Sequence, residues 1–155
     1  MSDDVQFDQQ VGAQYFLTAA GAGLLAGVAM GLVLDLVMGM MPAIGGLYGV
    51  ETTLAGWVSH LWHAAVFGTV FGGVLVLTPL VTHVTRPVPA AALGIVWGLV
   101  LWVGAAGVIM PLWMGAIGLP APNVPALNPV SGVGHVLYGF VLGSTLAVTA
   151  RRSTS

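Results

Sequence analysis

The chain has no cysteine and no lysine, and its only basic side chains are Arg86, Arg151 and Arg152, set against five acids. Without cysteine there are no disulfides, thiolate metal sites, cysteine nucleophiles or thioether-linked haem. Any metal would have to be held by imidazole, carboxylate or methionine thioether. Three arginines build no basic patch able to neutralise a phosphate backbone, so nucleic acid is excluded as a partner. Charged residues make up 5% of the chain, against about 25% in an ordinary soluble domain, and so few cannot clothe a surface against water. No phosphate-binding loop of the Walker type occurs. Ser59 beside His60 lacks the arrangement that marks a nucleophile and its base, so the sequence does not read as an enzyme.

What remains is hydrophobic: 57% of 155 residues, enough for one domain. A helix needs about 20 predominantly apolar residues to cross roughly 30 Å of hydrocarbon. Four predominantly apolar runs meet that length, at about 16–41, 53–77, 88–110 and 130–150. Prolines mark their limits, with Pro42, Pro79 and Pro111 expected to stop the first three and Pro87, Pro89 and Pro129 to open the last two. Each run exceeds the length of a strand and lacks alternating polarity. The expected class is therefore all-α, a multi-pass membrane protein of four transmembrane helices. Asp3, Asp4 and Asp8 precede the first run without a positive charge, the reverse of a secretory signal, so the first helix is expected to be retained.

All three arginines fall on one side of such a bundle. The positive-inside rule makes that side, with both termini, cytoplasmic in the cell membrane. The lipid bilayer is the expected partner, and association with further copies or with a larger membrane complex is compatible with the composition. The second external connection, at 111–129, carries no charge and contains Trp113; it is expected to lie at the interface or fold back over the bundle.

The two halves resemble each other. Gly27 and Gly31, followed by Leu-Val-Leu, match Gly94 and Gly98 with the same tripeptide at an offset of 67, and Gly68 and Gly72 match Gly139 and Gly143 at an offset of 71. This reads as one helical hairpin used twice, a parallel repeat. Small residues four apart run along every helix, the pattern that lets membrane helices approach closely. Ionisable residues interrupt three of these stripes, Asp35 in the first helix, His60 in the second and His135 in the fourth, which predicts that they point into the bundle.

Such residues are costly in lipid and are candidates for function. At about 1.5 Å per residue, Asp35, His60, His63 and His135 all come roughly 9 to 15 Å in from the external ends of their helices. His60 and His63, three apart, share a helix face. These four residues form the candidate metal site, with Met38, Met40, Met41, Met110 and Met114 near the same membrane surface. Imidazole with thioether suits copper, and imidazole with carboxylate suits zinc, iron or manganese. Haem b between His60 or His63 and His135 is a further option. The competing roles are helix-to-helix polar contacts for the histidines, a protonated hydrogen-bonded Asp35, packing for the methionines, and interface anchoring for the tryptophans. His83 is expected to be solvated.

The doubled hairpin, and the stretch His135-Val-Leu-Tyr138-Gly139-Phe-Val-Leu-Gly143 in particular, resembles small uncharacterised four-helix membrane proteins common in halophilic archaea. The resemblance implies the four-helix layout and carries no established activity. Three functions stay open: a metal- or haem-binding protein, a small transporter or channel subunit using the same residues as a proton or ion relay, and a structural or accessory subunit without a site.

Overall fold

A computed structural model of the protein describes residues 2–152, with side chains described from Gln14 to Arg151. Among them the fold is all-α. The helices are α1 (Ser2–Leu36), the short α2 (Met41–Gly46), α3 (Thr53–Val76), α4 (Pro87–Leu101), α5 (Met110–Ala116) and α6 (Pro129–Arg152). A π-helical stretch, Trp102–Ile109, joins α4 to α5, and a 3-10 turn, Pro79–His83, follows α3. Four segments are long and apolar enough to cross a membrane: Gln14–Leu36, Thr53–Val76, Pro87–Ala116 and Pro129–Arg151. Leu17, Leu36, Leu54, Val58, Val88 and Val133 are among many large apolar side chains left on the outside. Water would not tolerate that surface, and acyl chains would.

Two boundaries differ from the sequence reading. The first helix ends at Leu36, where Gly39 takes φ +61 and turns the chain, and Pro42 then occupies the first turn of α2. A left-handed backbone of this kind favours glycine. The third span does not stop at Pro111. It passes through the π stretch and continues to Ala116. A proline inside a helix has no N–H to give the carbonyl four residues earlier, and its ring crowds that carbonyl. In the π stretch the bonds reach back five residues, as from Met110 N to Ala105 O, and Gly107 O accepts from the Ala126 amide at 2.8 Å. Leu127 covers Gly107 closely enough that an added Cβ would lie 2.8 Å from its Cδ2. The uncharged connection thus folds back over the bundle, as its composition predicts.

Capping follows ordinary rules. Thr52 Oγ1 accepts from Ala55 N at 3.2 Å at the start of α3, and Asn128 Oδ1 accepts from Val130 N and Ser131 N at 2.9 and 3.1 Å at the start of α6.

Glycines set the packing. α1 lies along α3, where a Cβ on Gly68 would come 2.7 Å from Gly23 Cα; α4 lies along α6, where one on Gly139 would come 3.0 Å from Ile95 Cα. α1 also packs on α6, which joins the two pairs. By contrast, α3 and α4 are not an extensively packed pair. What bridges them is a stack of Phe71 on Trp97, with centroids 5.8 Å apart and planes 29° from parallel. Arg151 Nε donates to Thr85 O at 3.0 Å, so all three arginines gather at the end holding the α3–α4 connection.

Candidate functional site

At the opposite end the separation of α3 from α4 leaves a cavity of about 160 Å³. Its walls come from Met30, Leu34 and Met38 of the first span, His60, His63, Ala64 and Phe67 of α3, Leu101, Ala105, Ala106 and Ile109 beside the π stretch, and Ser131, His135 and Tyr138 of α6. Ile44, Leu47 and Trp113 close its outer end. The alanines of the π stretch are small enough to leave this space open.

Three of the four residues singled out in the sequence therefore meet at one cavity, and one does not. His60 is 7% exposed, and its Nε2–H donates to Gly27 O at 2.9 Å. His135 is also 7% exposed, and its Nδ1–H donates to Ser131 O at 2.8 Å. A carbonyl only accepts, so these contacts fix which nitrogen of each ring carries the proton. In the neutral rings, His60 Nδ1 and His135 Nε2 are then lone pairs. Among the described residues neither has a protein partner, neither is sealed in protein, and both rings line the cavity. His63 is half-buried, with Nε2 2.7 Å from the Tyr48 hydroxyl. Its ring lies edge-on to Trp113, centroids 6.3 Å apart.

Asp35 departs from the sequence grouping. Its Oδ2 accepts from Trp57 Nε1 at 2.9 Å, and it is not on the cavity wall. Trp57, read from sequence as packing or an interface anchor, is the partner that holds it. Among the described residues, no three His, Asp or Glu side chains come together in a way that could hold a metal ion. A cavity of this volume holds a benzene-sized molecule. Of the methionines expected near this surface, Met38, Met40 and Met110 line the cavity, while Met41 and Met114 are buried outside it. His83 is exposed, as expected, and its ring Nδ1 lies 3.2 Å from the Thr82 hydroxyl.

Two cavity residues escaped sequence reasoning. Met30 lies four residues before Leu34, on the same helical face. Tyr138 sends its hydroxyl across the cavity floor to donate to Ala64 O at 2.7 Å, tying α6 to α3. Its spacing of three from His135 was the available signal. No model of a known protein family, no curated protein and no solved structure matches this chain.

Proposed function

We propose that this membrane protein binds a small, largely apolar molecule in the cavity between α3 and the π stretch. The observation that carries the reading is a void of about 160 Å³ with hydrocarbon walls and two lone-pair nitrogens, in a bundle that otherwise packs glycine against backbone. Apolar voids of this size take up benzene-sized guests. A structural subunit has no need of an unfilled space, since each such space costs stability. On this reading the arginine end faces the cytoplasm and the cavity belongs to the outer half of the membrane. The matched glycines at both hairpin seams support duplication of one hairpin as its origin.

The test is a thermal melt of the purified protein in nanodiscs with and without benzene. Benzene at ten times its Kd should stabilise by about 1.4 kcal/mol. Ala106→Phe, which fills the cavity with a side chain, should abolish the response. A melt unmoved by benzene at saturation in lipid refutes the reading.

A second reading rests on a separate observation. Met30, Met38, Met40 and Met110 share the cavity walls with the histidines, and thioether with imidazole suits cuprous ion. Elemental analysis of protein purified with cuprous ion decides it. Stoichiometric copper lost in Met38→Leu and Met110→Leu supports it, and a metal-free protein ends it.

A further inference from the structure

Resting on the small-molecule reading above, we infer that the ligand is a hydroxylated aromatic ring, a phenol or quinol head group, that reaches the cavity sideways from the bilayer. His60 and His135 are each more than nine-tenths buried, and each spends its ring N–H on a backbone carbonyl. What these two rings offer the cavity is two acceptors; the Ser131 hydroxyl and the His63 ring also line it. A guest that presents an O–H satisfies an acceptor, whereas one with only a carbonyl or ether leaves it unmet. The walls say what carries the O–H. Phe67, Trp113 and Tyr138 surround a volume suited to one six-membered ring. Tyr138 adds no free donor, because its hydroxyl is already committed to Ala64 O.

The route follows from the packing. α2 and Trp113 cover the outer end of the cavity, and the Phe71–Trp97 stack bridges α3 and α4 toward the arginine end. α3 and α4 do not pack along each other between these closures, so the remaining side faces acyl chains. A ring with an apolar tail could then lodge its head inside and leave the tail in lipid.

Three monosubstituted benzenes test the inference on the full chain in nanodiscs, with empty nanodiscs as the blank and binding read by ligand-observed NMR. Phenol should bind about tenfold more tightly than toluene, the ratio expected when a buried acceptor is satisfied. Anisole, which keeps the oxygen and lacks the proton, should behave like toluene. His60→Leu and His135→Leu should each shrink the phenol preference and leave toluene binding in place. If a variant does not fold, the comparison of phenol with anisole on the unaltered protein still decides. Equal binding of all three probes overturns the hydroxyl inference and leaves the apolar-ligand reading standing. Binding of none overturns both.

Discussion

Tyr138 and Trp97 make opposite use of a polar atom. The Tyr138 hydroxyl donates to Ala64 O, whereas Trp97 Nε1 is buried with no partner. Removing a bond that is made costs stability, while removing a donor that was never satisfied does not. Tyr138→Phe is therefore expected to lower stability by about 1 kcal/mol in a denaturation series in detergent. Trp97→Phe keeps the ring stack on Phe71 and should change stability by less than that; the reverse order of the two would refute these assignments. At this scale the sequence was legible in kind and not in detail. The cost of placing ionisable groups in lipid turns His60 and His135 inward, and the structure agrees. That Asp35 is taken up by Trp57 while the histidines bond backbone carbonyls depends on how far each helix is rotated about its axis. Four-residue stripes wrap slowly around a helix, so they name a face only locally.

Among the elements, the third span shows what a single proline does in a long apolar run. Pro111 was read as a terminus because proline ends most helices. Here the helix carries on, eased by the π stretch before it, and the Gly107 carbonyl within that stretch anchors the returning loop. Span count and the folding back of residues 111–129 were legible because they follow from hydrophobic length and absence of charge. The π stretch was not, because one extra residue per turn leaves no mark on composition. The glycine seams are the complementary case. Gly139→Leu places a bulky side chain against the α4 backbone and should separate the two helices, with loss of monodisperse protein on gel filtration.

For the whole molecule, the missing cysteine becomes an experimental advantage, since any introduced thiol is unique. Asn123 and Thr85 are both exposed, one on the long returning loop and the other at the arginine end. In intact cells a membrane-impermeant maleimide should label Asn123→Cys and spare Thr85→Cys; labelling of Thr85→Cys alone would invert the orientation. Charge asymmetry carries this expectation from the sequence. Which helices are neighbours could not be read in the same way, because all four faces of the bundle are built from the same few apolar residues.

With α3 and α4 apart and the α1–α6 seam the main joint between the hairpins, the lateral route inferred above leaves the surrounding lipid to complete the enclosure of the cavity. Hydrocarbon thickness and chain order in the host bilayer thus become variables of occupancy in their own right, and the same polypeptide would hold its guest differently in a thin, fluid membrane and in a thick, ordered one.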